Sequence, residues 1–115
     1  MDIDVYGIAN CDTVKKARAW LSAQGLDHRF HDYRKQGVDG VLLARWCDAV
    51  DWQVLLNRKG TTWRRLPESD KTDVDRSRAM ELMMAHPSLI KRPVLVAGDA
   101  IEVGFSEDRY RALFA

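Results

Sequence analysis

The chain has 115 residues, of which 46% are hydrophobic, and its 18 lysines and arginines nearly balance its 17 aspartates and glutamates. This length fits one domain over residues 1–115 with a single core, and the near-neutral charge argues against the basic surface that nucleic-acid binding requires. No apolar run approaches the length needed to cross a membrane, and the first residues lack the features of a signal peptide, so we expect a cytoplasmic protein.

The first part of the chain predicts a strand, a helix and a second strand. Apolar residues alternate in the segment DIDVYGI at residues 2–8, which indicates a half-buried strand. From Asp12 the apolar spacing becomes helical, and Gly25 ends the helix. Residues 26–34 form a weaker strand candidate, because charged residues interrupt their alternation.

The middle of the chain reads as a helical insert over about residues 38–88. Its first helix begins after Asp39, whose side chain can cap it. Dense charge with glycine and proline in residues 58–71 predicts an irregular connection over the surface. A further helix is expected to begin near Thr72, which forms an imperfect capping box with Asp75.

Two short strands and a helix complete the chain. Apolar residues alternate before and after the turn pair Gly98–Asp99, which predicts an antiparallel hairpin. Ser106 can cap a final helix whose first turn is acidic, as the helix dipole favours. This order of strands and helices indicates an α/β fold.

Cys11 lies between the first strand and the first helix. The thiolate is the reactive form of cysteine, and free backbone N–H groups at the start of a helix stabilise it. Lys15 and Lys16 add positive charge one turn further on, whereas the neighbouring Asp12 acts in the opposite direction. Cys11 is therefore a candidate nucleophile, with an inert buried thiol as the alternative.

The remaining residues indicate neither a dithiol nor a metal centre. A C-x-x-C pair would need a second cysteine at position 14, where the chain has Val14, so a thiol from elsewhere must resolve any covalent intermediate on Cys11. Cys47 lies on an apolar helix and is interpreted as a core residue. The three histidines are scattered along the chain, so we expect no metal site.

Two further positions are candidates for ligand binding. Arg92–Pro93 precedes a strand, where a cis peptide can occur and a free backbone edge can hold an extended ligand, and the arginine could face the thiol. The cationic loop Asn57–Lys59 could receive a carboxylate or an oxyanion. An ordinary surface arginine and a solvated loop would give the same patterns, although Trp63 is hard to explain as solvated.

Five ordered segments resemble a known family. The segments YGIANCDTVKKARAWL, FHDYR, LLNRKGTTWRRL, IKRPVLV and VGFSEDRY are similar to the arsenate-reductase-like (ArsC/Spx) family, and within it to the small YffB-type branch. The resemblance runs essentially end to end and implies a thioredoxin-like fold, with a four-stranded mixed sheet (βαβ…ββα) and a helical insertion. It also implies that Cys11 is the nucleophile, Arg92 the arginine before the strand and Pro93 a cis proline.

The chain departs from the family pattern at three positions. Two arginines that bind the oxyanion in arsenate reductases have no counterpart, because Asn57 stands at one position, with only Arg58 beside it, and Gly104 stands near the other. Arsenate carries concentrated charge that several cations must neutralise, so this difference argues against arsenate reduction. Val14 likewise removes the C-x-x-C switch common in the Spx regulators, which bind RNA polymerase.

We therefore expect glutathione-dependent thiol–disulfide reduction, with Cys11 as the single nucleophile. Glutathione would be a co-substrate rather than a bound cofactor, and a small or protein thiol or disulfide would be the other substrate. The residues expected to act or to contact these ligands are Cys11, Asn10, Asp12, Lys15, Arg58, Lys59, Arg92 and Pro93. We expect a monomer with no metal and no nucleic-acid or membrane partner. The alternatives are arsenate reduction coupled to glutathione or glutaredoxin, and an Spx-like module that binds RNA polymerase.

Overall fold

The structure, a computed structural model, describes all residues from 1 to 115. Its elements in chain order are β1 Ile3–Gly7, α1 Asp12–Ala23, β2 Arg29–Asp32, α2 Tyr33–Gln36, α3 Gly40–Val50, α4 Trp52–Leu55, α5 Thr61–Arg65, α6 Arg76–Ala85, β3 Val94–Ala97, β4 Ala100–Val103 and α7 Glu107–Leu113, with short 3-10 helices at Glu68–Asp70 and Pro87–Leu89. The chain divides into two compact units. The first contains Met1–Gln36 and Arg92–Ala115, and the second contains Gly37–Lys91.

The first unit is built on a four-stranded sheet in the order β2-β1-β3-β4. β1 pairs with β2 in parallel, whereas β3 is antiparallel to both β1 and β4. Because α1 connects the two parallel strands, the chain follows the expected βαβ…ββα order. The predicted α/β fold with a mixed sheet is confirmed.

One face of this sheet forms the core of the first unit. Alternate residues of β1 and β3 pack against the apolar side of α1 and against α7, in a cluster of Ile3, Val5, Ala17, Trp20, Leu21, Leu95, Ala97 and Tyr110. The period of two in the strands and the helical spacing in α1 therefore point their apolar residues to the same place. Ser106 caps α7 as predicted, with its hydroxyl accepting a hydrogen bond from the Arg109 backbone N–H at 3.4 Å.

The second unit contains the predicted insert. Asp39 caps α3 as expected, since its carboxylate accepts a hydrogen bond from the Val41 backbone N–H at 2.6 Å. Trp46 and Cys47 are buried on the inner side of that helix, at 0% and 4% exposure, which confirms the interpretation of Cys47 as a core residue. No helix of the chain combines the length and the apolar character that a membrane crossing needs.

Two expectations about the insert are wrong. α6 begins at Arg76 rather than near Thr72, because the Thr72 hydroxyl donates back to the Glu68 carbonyl at 3.0 Å and leaves Asp75 alone as the N-cap. The segment 58–71 is not an irregular connection throughout, since it includes α5 and a 3-10 turn.

Candidate active site

The sheet topology brings three side chains to one edge of the first unit. Because β1 and β2 are parallel and Gly7 pairs with Asp32, their carboxyl ends lie side by side. β3 is antiparallel to β1, so its amino end reaches the same edge. Cys11 follows β1, Tyr33 follows β2 and Arg92 precedes β3. Strand order alone therefore predicts that these three residues meet.

Cys11 is the N-cap residue of α1. Its backbone is extended, with φ −125° and ψ 126°, and its carbonyl accepts the first helical hydrogen bond from the Lys15 N–H at 2.9 Å. The thiol is half-buried. As a neutral thiol it makes no regular cap hydrogen bond, but the N–H groups of Thr13 and Val14 lie where they favour a thiolate.

The surroundings of Cys11 lower the pKa of its thiol. Partial burial acts in the opposite direction and would raise this pKa. Hydrogen bonding from the Val14 N–H, the Arg92 guanidinium and the Thr13 N–H, together with the charge of Arg92, outweighs the burial. Cys11 is thus placed to ionise more readily than an ordinary cysteine, which is the requirement for a nucleophilic thiol.

Arg92 contacts both Cys11 and Tyr33. Burial of the guanidinium would lower its pKa, but hydrogen bonding to Cys11 and interaction with Tyr33 raise it, so the group stays charged. The Arg92–Pro93 peptide is cis, which confirms what the family resemblance implied. Pro93 is buried, and its carbonyl accepts a hydrogen bond from the Gly104 N–H at 2.8 Å.

Asp32 fastens the loop that precedes Cys11 to the start of α2. One carboxylate oxygen accepts a hydrogen bond from the Ala9 N–H at 3.2 Å, and the other accepts from the N–H groups of Arg34 at 3.0 Å and Lys35 at 3.3 Å. Slight burial would raise the pKa of Asp32, but these backbone donors and the Lys35 charge lower it. An ionised carboxylate therefore connects two of the three segments that form the site.

Three of the predicted contact residues surround Cys11 on the surface. Asn10, Asp12 and Lys15 are exposed, and the Lys15 ammonium donates a long hydrogen bond of 3.4 Å to the Asn10 side-chain oxygen. These positions let them meet a ligand bound at the thiol. Their roles in binding stay predictions, as does the ligand role of Pro93.

Arg58 and Lys59 lie in the second unit. The Arg58 guanidinium lies 5.5 Å from the ring centre of Trp52 and 5.7 Å from that of Trp63, and the Lys59 N–H donates to the Asn57 side-chain oxygen at 3.0 Å. This cation–π arrangement accounts for a tryptophan in a charged segment. The proposed contacts of Arg58 and Lys59 with a ligand stay predictions.

Sequence reasoning missed Tyr33 and Asp32. The segment FHDYR was treated only as a weak strand and as part of a family resemblance. The available signal was the position of these two residues, directly at the end of a strand parallel to the one that leads to Cys11. Polar side chains at that edge of a sheet are candidates for a functional site.

Comparisons with known proteins agree with the resemblance. The sequence profile of the ArsC family matches residues 6–113. The solved structure of a protein named YFFB is 50% identical, with a TM-score of 0.95 over 98% of this chain and 99% of its own. An arsenate reductase (ArsC) related protein from Brucella melitensis is 51% identical, with a TM-score of 0.77 over 99% of this chain and 95% of its own. The global transcriptional regulator Spx of Streptococcus agalactiae serotype V is 26% identical over 96% of this chain and 81% of its own length.

Proposed function

Because the chain belongs to the ArsC family, we propose that it is a cytoplasmic thiol–disulfide reductase with Cys11 as its nucleophile and glutathione as co-substrate. The observation that carries the proposal is the position of the Cys11 thiol, at the N-terminus of α1 and in contact with Arg92. Both features favour the thiolate over the thiol. A thiolate at the surface of a small domain is suited to attack a disulfide.

With a mixed disulfide of glutathione as the simplest substrate, the reaction consists of two exchanges. The Cys11 thiolate attacks the glutathione sulfur, a new S–S bond forms, and the original S–S bond breaks as the other thiol leaves as a thiolate and takes up a proton. A second glutathione, reacting as thiolate, then attacks the glutathione sulfur attached to Cys11. This step releases glutathione disulfide and restores the Cys11 thiolate, so one disulfide is reduced for each disulfide formed.

Arg92 assists both exchanges. In the first, its charge raises the fraction of Cys11 present as thiolate. In the second, Cys11 is the leaving group, and a thiol with a lower pKa leaves faster. We place the glutathione backbone alongside Arg92–Pro93, where the guanidinium can also attract a ligand carboxylate.

The need for an external thiol follows from the two cysteines. Val14 occupies the position of a C-x-x-C partner, and Cys47 is 4% exposed with a pKa that burial raises. A buried protonated thiol is a poor resolving nucleophile. Glutathione is a soluble thiol of the kind that can reach a half-buried sulfur.

The test is steady-state reduction of a mixed disulfide between glutathione and a small thiol, with reduced glutathione in excess. We expect Cys11→Ser to abolish turnover while the circular dichroism spectrum stays unchanged, because the side chains are similar in size. Cys47→Ala is the matched control and should retain turnover. Full activity of Cys11→Ser would refute the proposal.

Arsenate reduction is the second candidate, favoured by one observation near Gly104. The Arg109 Nη2 atom lies 3.6 Å from the point that a Cβ of Gly104 would occupy, so α7 supplies a cation close to a position where the family has an arginine. That guanidinium now pairs with Glu102 at 3.2 Å. In this reaction two thiols become one disulfide as arsenate is reduced to arsenite. Arsenate-dependent consumption of glutathione that Arg109→Ala removes would support this activity.

A further inference from the structure

Tyr33 is held rigidly beside Arg92. It is the first residue of α2 and is only 1% exposed, although it directly follows a strand whose residues are partly open to solvent. A buried tyrosine ring has little freedom to move, so its hydroxyl occupies a defined position. The Arg92 guanidinium donates a hydrogen bond to that hydroxyl and also contacts the Cys11 thiol.

This contact addresses a weakness of arginine as an activating group. Arginine has a long side chain that loses much conformational freedom when it is held in one geometry. A hydrogen bond to a fixed acceptor restrains the planar guanidinium before any ligand arrives. The restraint lets the remaining N–H groups point at the Cys11 sulfur.

The chemistry of the acceptor also matters. Burial raises the pKa of Tyr33 to about 12, so its hydroxyl stays neutral at physiological pH. A neutral oxygen holds the guanidinium without cancelling its charge. A carboxylate in the same place would compete with the Cys11 thiolate for Arg92 and weaken its activation.

The backbone around Tyr33 is tied to the Cys11 loop by the adjacent residue. Asp32 accepts hydrogen bonds from the Ala9 N–H and from two N–H groups of α2. Tyr33 and the loop before Cys11 are thereby held to one another through the Asp32 carboxylate. A hydroxyl fixed on this frame can define where Arg92 lies relative to the thiol.

We infer that Tyr33 is a positioning residue of the thiol site, whose hydroxyl holds the Arg92 guanidinium against Cys11. This inference rests on the proposed function, because it assigns Tyr33 a part in activating the same nucleophile. Tyr33 acts through Arg92 and takes no part in the bond changes. A tyrosine that only fills space in the core would serve equally well without its hydroxyl.

The experiment measures the rate of Cys11 alkylation by iodoacetamide as a function of pH, read by peptide mass, in four proteins. These are the wild type, Tyr33→Phe, Arg92→Ala and the double variant. The uncharged reagent needs no glutathione site, so the measurement is independent of turnover. Tyr110→Phe is the control, because Tyr110 is equally buried in the same unit and its hydroxyl has no hydrogen-bond partner.

We expect Tyr33→Phe to move the midpoint of the pH profile upward by about half a unit to one unit. Below the midpoints, alkylation should slow by about threefold per unit, since the tenfold loss of thiolate is partly offset by the greater nucleophilicity of a more basic thiolate. In the Arg92→Ala background the same change should have no further effect. Tyr110→Phe should leave the profile unchanged, and thermal unfolding of all variants checks the fold.

Three results would overturn the inference. One is a Tyr33→Phe midpoint equal to that of the wild type while Arg92→Ala shifts it. Another is an additive effect of the two changes in the double variant, since independent effects mean that Tyr33 does not act through Arg92. The third is an equal shift in Tyr110→Phe. A wild-type midpoint as high as that of an ordinary cysteine would instead refute the activated thiol, and with it the proposed function.

Discussion

Arg92→Ala should raise the pKa of the Cys11 thiol and slow both exchange steps. The substitution removes a guanidinium that contacts the sulfur, while the N–H groups of Thr13 and Val14 remain. Half-buried Cys11 then keeps its burial penalty and loses part of the compensation. The thiolate fraction at neutral pH should therefore fall.

The size of the effect follows from the exposure of the two groups. Opposite unit charges about 4 Å apart attract by about 4 kcal/mol at an effective dielectric constant of about 20, but by about 1 kcal/mol in bulk water. Cys11 and Arg92 are both partly open to solvent, so the lower part of this range applies. A loss of about 1.4 kcal/mol corresponds to a rise of about one pKa unit.

The thiolate absorbs in the ultraviolet, so a pH titration of absorbance measures the Cys11 pKa directly. Cys47 is buried with a raised pKa and should titrate at higher pH. Arg92→Lys should give an intermediate value, because lysine keeps the charge but lacks the planar fork. Arg29→Ala is the control, since Arg29 is an exposed arginine of the same unit that pairs with Asp4. An unchanged midpoint in Arg92→Ala would refute the electrostatic reasoning.

Three further predictions concern the frame of the site and the cores of the two units. Leu21→Ala should lower the free energy of unfolding by about 3 kcal/mol in urea titration, because Leu21 is fully buried against the sheet. Asp32→Asn should destabilise the protein at neutral pH. Because the folded-state pKa of Asp32 is lowered, its carboxylate stabilises the fold above its unfolded-state pKa, so the difference from wild type should vanish as pH falls through the lowered folded-state pKa; an unchanged difference in acid would contradict this. Arg58→Ala should cost about 0.5 to 1 kcal/mol through loss of the contacts with Trp52 and Trp63, measured by denaturant unfolding followed by tryptophan fluorescence.

The parts of the fold that depend on local signals could be predicted from the sequence. Alternation defined β1, helical spacing defined α1, and the side chains of Asp39 and Ser106 marked the starts of α3 and α7. Each of these signals acts within a few residues. The start of α6 could not be placed in the same way, because the Thr72 hydroxyl can cap a helix or bond backward to Glu68, and its sequence fits both.

The candidate site was predictable only in part, for a related reason. The nucleophile could be recognised because its activation comes largely from the helix that follows it in the chain. The contact of Arg92 with Tyr33 joins residues far apart in sequence, and it depends on the order of the strands. Once the parallel pairing of β1 and β2 is known, the position of Tyr33 beside the Cys11 loop follows from the Gly7–Asp32 register.

The most direct test of a glutathione-dependent thiol site is the reaction of the purified protein with oxidised glutathione near neutral pH. Peptide mass mapping locates the adduct, and Cys47 in the same molecule serves as the internal control. The account predicts rapid addition of one glutathione at Cys11, none at Cys47, and release of the adduct by reduced glutathione. Reaction of Cys11 no faster than that of Cys47, or an adduct that reduced glutathione does not release, would contradict it.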